Sequence, residues 1–235
     1  MQERNDILHY AISDIHGCYD KYISMLEKIG FNDGDTLYFL GDAVDRGPDG
    51  VKILLDMMAR KNVVPLLGNH EDTFYVMINS LRRNLSDVER IGVEAEKFAW
   101  FECDGGRFTW DAYCALPEET REELFRYLKT FELYDKIRVN DRTFLLSHAG
   151  LGDYAPGKTL ADCTADDLLW GRMDYERVYC PGTYIVSGHT PTGYIDPACA
   201  GKIIRKSNHI AIDCGAVFGG ALGCICLETL EEFYS

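Results

Sequence analysis

The sequence predicts an α/β fold, a two-sheet sandwich of mixed strands flanked by helices and carrying a helical insert. Three observations lead there. The first two-thirds alternates short apolar runs of strand character with amphipathic stretches of helical period, the sequence turns helical from about Thr73 to Thr130, and the end of the chain is mostly a succession of short strands. At 235 residues the chain is near the size at which one core stops growing, so a single domain over 1–235 is expected.

Ile7 to Ser13 is the first predicted strand. The stretch from Cys18 to Ile29 follows, with Tyr22, Met25, Leu26 and Ile29 on one helical face. Thr36 to Leu40 is a second strand. The next helix is placed at Pro48, because a fixed φ and a missing N–H suit a first helical turn; Val51, Ile53, Leu54, Leu55, Met57 and Met58 supply its apolar face. A third strand, Val63 to Leu67, runs into Gly68-Asn69-His70-Glu71. Within the helical insert, Ser86 and Glu89 have the spacing of a capping box, and Pro117 opens a further helix. Strands are then expected at Lys136–Val139, Thr143–Ser147, Tyr184–Ser187, Ile203–Arg205, Ile210–Asp213 and Gly223–Glu228.

The formal charge of -14, with no Lys/Arg-rich run, argues against nucleic acid and anionic membrane as partners. A phosphate substrate would have to be drawn by a local positive site such as bound cations. Glu3, Arg4, Asn5 and Asp6 precede any apolar stretch, and no run is long enough to span a bilayer, so secretion and membrane insertion are disfavoured. Nine scattered cysteines without CxxC spacing fit neither a disulfide framework nor a thiolate zinc site, which points to a reducing, cytoplasmic setting. Cys224 and Cys226 face one side of a strand, as core residues or as reactive thiols.

Five polar clusters each follow a predicted strand: Asp14-Ile15-His16, Gly41 to Gly47, Gly68 to Glu71, Ser147-His148-Ala149-Gly150 and Ser187-Gly188-His189-Thr190. Loops at the carboxyl ends of strands converge on one crevice in α/β folds. The side chains delivered there form a nitrogen and oxygen set suited to manganese, iron or zinc. Each residue also has a plainer reading: Asp14 as a helix cap, Asp45 and Arg46 as a surface turn, His148 as a core histidine. Four of the six histidines fall in these clusters, and that concentration favours a metal site.

The order DxH, GDxxDRG, GNHE, HAG and GHT resembles the metallophosphoesterase superfamily, in particular its phosphoprotein phosphatase branch of bacterial type, over Ser13 to about Gly220. The resemblance implies a calcineurin-like sandwich and two divalent ions, manganese foremost with iron and zinc as options. It assigns Asp14 and His16 to the first ion, Asp42 as the bridge, and Asn69, His148 and His189 to the second. A pair of ions can clamp a phosphoryl group and activate one hydroxide for direct attack. His70, oriented by Asp45, would protonate the leaving oxygen. Arg46 and Arg172 would bind the phosphoryl oxygens. The segment Trp100 through Thr109, containing Asp104-Gly105-Gly106, resembles a segment of bacterial phosphatases that usually has Asn-Gly-Gly, with the role of the change open. Asp213 is either a support for a metal-binding histidine or a turn former.

The implied activity is hydrolysis of phosphate monoesters, with serine/threonine phosphoproteins as the foremost substrates and small phosphoesters alongside. Glu71 and the Gly-Gly segment favour that branch over symmetrical dinucleoside tetraphosphate hydrolases, which usually read GNHD. A non-catalytic metal-binding scaffold is a third expectation, disfavoured because no ligand or arginine of the pattern is missing.

Overall fold

Residues 7–152 and 159–235 are described by the computed structural model; Glu3, Arg4, Asn5 and Asp6 lie outside them. Two five-stranded sheets face each other. The first has the order β10-β9-β1-β2-β3, with β1 at His9–Ile12, β2 at Thr36–Phe39, β3 at Val63–Pro65, β9 at Gly223–Cys226 and β10 at Glu232–Tyr234. The second has the order β4-β5-β6-β8-β7, with β4 at Tyr134–Val139, β5 at Arg142–Ser147, β6 at Thr183–Ser187, β7 at Ile204–Lys206 and β8 at His209–Ala211. Strands β1, β2 and β3 pair in parallel, as do β5, β6 and β8, while β4, β7, β9 and β10 are antiparallel additions.

Alternation along the strands divides the core into layers. Ala11, Tyr38 and Ile225 point from the first sheet toward Phe144, Leu146, Val186 and Ile210 of the second. Their neighbours Tyr10, Ile12, Leu37 and Phe39, with Cys224 and Cys226, turn outward to the helices. Both cysteines are thus core residues, buried on one face as the spacing anticipates. The outer face of the second sheet packs Leu145 and Ile185 against Leu151, Leu168 and Met173.

Helix α1, Tyr19–Ile29, buries Tyr22, Met25, Leu26 and Ile29, the four side chains its period selects, and each contributes about 1.5–3 kcal/mol. It ends at Gly30 in the left-handed conformation. Helix α2, Gly50–Ala59, starts two residues later than Pro48 suggests. Gly50 packs closely on the preceding loop, where an added Cβ would lie 2.6 Å from the Cα of Val44.

The insert comprises α3 (Asn69–Ser80), α4 (Asp87–Cys103), α5 (Gly106–Cys114) and α6 (Glu118–Leu128). Its first helix begins four residues before the expected boundary, so Asn69, His70 and Glu71 form a helical first turn behind the extended Gly68. The Ser86–Glu89 capping box is present, and Pro117 is the N-cap residue of α6. Short helices α7, Ala165–Leu169, and α8, Thr192–Ile195, complete the chain together with β10; none of the three was marked by the sequence pattern. Among the described residues no helix is long and apolar enough to cross a membrane.

Candidate metal centre and active site

The parallel strands of both sheets end at one crevice. Past β1 come Asp14 and His16, past β2 the loop Gly41–Gly47, past β3 the start of α3, past β5 His148 and past β6 His189. The first two loops are zipped together by backbone bonds: Asp14 N donates to Gly41 O at 2.9 Å, His16 N to Asp42 O at 2.9 Å, and Gly17 N to Ala43 O at 2.8 Å. Glycines set the spacing. A Cβ on Gly188 would fall 2.0 Å from Asp14 Oδ2, and one on Gly68 would fall 2.2 Å from Asp42 Oδ1.

Nine non-glycine residues among those described have positive φ, and six of them lie here: Asp14 (51°), His16 (44°), Asp42 (66°), Asp45 (68°), Arg46 (65°) and His189 (62°). Such backbone costs about 1–3 kcal/mol per residue and persists only where the surroundings over-determine it. For the Asp42 loop the restraint is Glu71. Its fully buried carboxylate accepts from Asp42 N and Ala43 N at 2.7 Å each and from Val44 N at 3.2 Å. Burial, with the charge of Asp42, pushes the Glu71 carboxyl up to about 7, against the pull of these amides.

Asp42 is the centre of the cluster. Its Oδ2 lies 3.4 Å from His148 Nε2, 3.5 Å from His16 Nε2 and 3.8 Å from His70 Nε2. Two groups with potential ligand atoms mutually within 4.8 Å share this residue: His16, Asp42 and His70, and Asp42, His148 and His189. Asn69 Oδ1 adjoins the second, 2.8 Å from His148 Nε2 and 3.1 Å from His189 Nδ1. Asp14 borders it as well, its carboxylate accepting from His189 N at 3.0 Å.

These residues fit a metal site in their hydrogen bonding as well as their type. His16 Nδ1 donates to Val44 O and His148 Nδ1 to Leu40 O, both at 2.8 Å, which leaves each Nε2 lone pair facing the cluster. His189 Nε2 is buried with no protein partner. Burial holds the His16 imidazole down at about 3 despite Asp42, and burial with neighbouring His148 holds His189 at about 3, so both offer neutral rings as ligation requires. Burial opposes ionisation of Asp42, but the surrounding imidazoles, His148 first, hold it below the usual carboxylate range. Asp14 is pushed up to about 7 by burial and by Asp42, a repulsion that a cation between them would relieve.

His70 is held differently. Its Nδ1 donates to Asp45 Oδ2 at 2.6 Å, and Asp45 is in turn caged by the insert. Trp100 Nε1 donates to Asp45 Oδ2 at 2.6 Å, Thr109 Oγ1 to Asp45 Oδ1 at 2.6 Å, and Asp45 N donates back to Thr109 Oγ1 at 2.8 Å. Burial lowers the affinity of His70 for a proton, but Asp42 and the Asp45 hydrogen bond outweigh it and raise the pKa to about 9. Arg46 is half-buried, its guanidinium 3.0 Å from His70 Nε2 and beside His16 Nε2. Arg172 stands exposed at the rim, donating to Thr190 Oγ1 at 2.6 Å, with the Trp170 ring edge-on to His189 nearby.

All nine buried or half-buried candidates therefore meet in one crevice, with Arg172 at its edge. Asp213 makes the turn, its Oδ1 accepting from Gly215 N at 2.9 Å, and its buried carboxyl also lies within the field of the site, pushed well up by burial and by Asp14 and Asp42. The Asp104-Gly105-Gly106 segment seats the arginine loop. Gly105 O accepts from Arg46 N at 3.3 Å, and the bare Cα positions allow contact with the Arg46 backbone and the Trp100 ring, where added Cβ atoms would fall 2.7 and 2.1 Å away. Trp100 and Thr109 are the ends of the segment that the sequence marks by its resemblance, without a role for either side chain; the structure puts both on Asp45. In the sequence Glu71 serves only as a family marker.

The paired strand-end clusters define the class, a metal-dependent phosphoesterase. A calcineurin-like phosphoesterase family model matches residues 10–209, and the chain belongs to that family. It is 29% identical over 239 residues to an asymmetrical bis(5'-nucleosyl)-tetraphosphatase PrpE of Geobacillus sp. (strain WCH70), covering 90% of this chain and 86% of that protein. Among solved structures, a candidate diadenosine tetraphosphatase superposes with a TM-score of 0.67 at 18% identity over 99% of this chain and 94% of the other. A protein serine/threonine phosphatase from Saccharomyces cerevisiae gives a TM-score of 0.57 at 16% identity, covering 96% and 74%.

Proposed function

We propose that the chain is a dinuclear-metal hydrolase of phosphoric esters and anhydrides, with dinucleoside tetraphosphates as its substrates. The observation that carries the chemistry is the pair of clusters sharing Asp42. In this reading Asp14, in place of the His70 that the first cluster contains and that Asp45 holds, would join His16 and Asp42 at one divalent ion, manganese foremost, and Asp42, Asn69, His148 and His189 would hold the other. Bound there, the ions supply an activated water and neutralise phosphoryl oxygens.

The chain's own groups do the rest. Arg46, already turned toward the centre, grips two phosphoryl oxygens in its planar fork, and Arg172 approaches from the rim. His70 donates its proton to the leaving oxygen, and Asp45 fixes the tautomer by taking the Nδ1 hydrogen.

For the substrate, the relative matched along most of both chains is named a tetraphosphatase, and this supports the nucleotide over the phosphoprotein that the motifs alone favour. The phosphoprotein reading keeps one observation, the Glu71 and Gly-Gly features of that branch. The deciding experiment compares kcat/KM for diadenosine tetraphosphate with a panel of phosphoserine, phosphothreonine and phosphotyrosine peptides, with manganese and after chelation. The nucleotide should lead, and its products should be adenosine monophosphate and adenosine triphosphate, or two diphosphates if the central anhydride is cut. A tenfold lead for any phosphopeptide, about 1.4 kcal/mol of transition-state preference, would reverse the assignment.

A further inference from the structure

Just beyond Asp213 the chain raises an aromatic ring beside Arg46. Phe218 ends a short 3-10 turn, Ala216–Phe218, set between Gly215 (φ 71°) and Gly219 (φ 88°), both left-handed. The turn is firmly pinned. Lys21 Nζ donates to Ala216 O at 2.8 Å and also to Gly220 O, while Phe218 N and Gly220 N donate to Gly215 O at 2.9 and 3.0 Å. A Cβ on Gly220 would lie 2.1 Å from Cys214 O, so the backbone there has no room for a side chain.

Yet the ring that this scaffold carries is 66% exposed. An apolar ring presented to water on ordered backbone contributes little to the fold, and what sets this one apart is its place beside Arg46. The Arg46 guanidinium carbon is 5.3 Å from the Phe218 centroid, and the same guanidinium contacts His16 and His70. Beside the ring opens a slot of about 300 Å³, bounded by Phe218, Tyr194 and Pro191 and floored with small residues including Gly193 and Gly215. That volume is at the lower end of small-molecule sites, about 300–1,000 Å³. Tyr194 is itself 85% exposed, so the slot has a second aromatic ring on its rim.

We propose that this slot is a nucleobase subsite, in which the base of the nucleotide whose phosphate Arg46 grips stacks on Phe218, with Tyr194 on the rim. The proposal rests on the nucleotide reading of the substrate and adds to it where the base binds. Stacking uses the π-face that every base has, so such a subsite accepts purines and pyrimidines alike and responds more to ring area than to base edge. Because Phe218 touches the arginine directly, the stacked base belongs to the nucleotide whose own phosphoryl group is held. A phosphoseryl peptide brings no planar ring there.

The test uses manganese-loaded wild type and the variants Phe218→Ala, Phe218→Leu, Phe218→Trp and Tyr194→Ala. Inhibition constants are measured for adenosine monophosphate and for inorganic phosphate. Phe218→Ala should weaken inhibition by adenosine monophosphate about 5- to 100-fold, the range expected for loss of one base stack, with inhibition by inorganic phosphate unchanged. Phe218→Leu should lose most of the same ground, Phe218→Trp should keep or exceed wild-type binding, and Tyr194→Ala should show a smaller loss. If adenosine monophosphate inhibits wild type no better than inorganic phosphate, the nucleotide reading falls and the subsite with it. If it inhibits wild type better and Phe218→Ala equally well, the nucleotide reading stands and the subsite is overturned.

Discussion

Replacing Glu71 by glutamine changes one atom and should unseat the Asp42 loop. In the native site Oε2 serves Asp42 N, and Oε1 serves Ala43 N and Val44 N, all three amides being buried behind a carboxylate of zero exposure. A carboxamide has one oxygen. In either flip its NH2 faces at least one backbone N–H, so one hydrogen bond to a charged group, worth about 1.5–3 kcal/mol, is lost and a buried donor is left unpaired at about 1–3 kcal/mol. The overlap of these two penalties leaves a net loss of about 2–5 kcal/mol. In a domain of this size each kcal/mol moves the midpoint by about 2–4 °C, so Tm should fall by about 5–20 °C in scanning calorimetry. Activity should fall with it, because Asp42 rides on the loop and a 1 Å misplacement of a catalytic group can cost about 10²-fold. Glu71→Asp, which keeps both oxygens but withdraws them by one methylene, should fall between wild type and the glutamine variant. A Tm within 2 °C of wild type for Glu71→Gln, the midpoint error of the method being smaller, would refute the claim that Glu71 holds the strained backbone in place.

Three further outcomes are expected. Asp42→Asn should lose bound metal from both clusters and nearly all activity; two ions retained at full occupancy by mass spectrometry, with normal turnover, would overturn its role as the shared ligand. His70→Asn should keep both metals and turn over phosphoserine peptides about 10²–10⁴ times more slowly, with a smaller loss on phosphoanhydrides, whose leaving oxygens need less protonation. The sign of its pH dependence follows from the raised pKa of about 9: His70 works as an acid while protonated, so wild-type activity persists below that pH and is lost above it. Bound cations shift the limit downward. A wild-type profile whose alkaline limb survives unchanged in His70→Asn would count against the acid role. Trp100→Phe removes the donor to Asp45 Oδ2, a bond to a charged group worth about 1.5–3 kcal/mol, and should lower kcat more than it raises KM; equal metal content and unchanged kcat would remove Trp100 from the site.

The strand-end clusters were legible because each puts several polar residues directly after an apolar run, and the parallel strands of the two mixed sheets carry these ends to one crevice. The buried face of helix α1 was legible to the residue, since it has no competitor for the period, while the helix itself starts at Tyr19, one residue after the expected Cys18. The start of α2 was read two residues early, and the close packing of Gly50 on Val44 is a contact made by tertiary folding that no local pattern shows. The last strand, β10, was missed for a similar reason. Its three half-buried residues have too short a pattern to stand alone and become a strand by pairing with β9.

The cage around Asp45 shows where local reading ends. His70 and Asp45 are separated by 25 positions yet share a motif order that sequence can use, whereas Trp100 and Thr109 lie 55 and 64 positions from Asp45 and look like ordinary helix residues. What brings them in is the left-handed Gly105, which ends α4 with Trp100 beneath it and starts α5 with Thr109 facing back. The insert therefore does more than border the crevice. Helices α4 and α5 supply two of the three side-chain donors to the carboxylate that orients His70, and through Gly105 O, between them, the backbone N–H of Arg46 is taken. Movement of α4 or α5 relative to the sheets would change the proton donor and the phosphate-facing arginine together, so changes in this insert should alter turnover even where they touch neither a metal ligand nor the substrate.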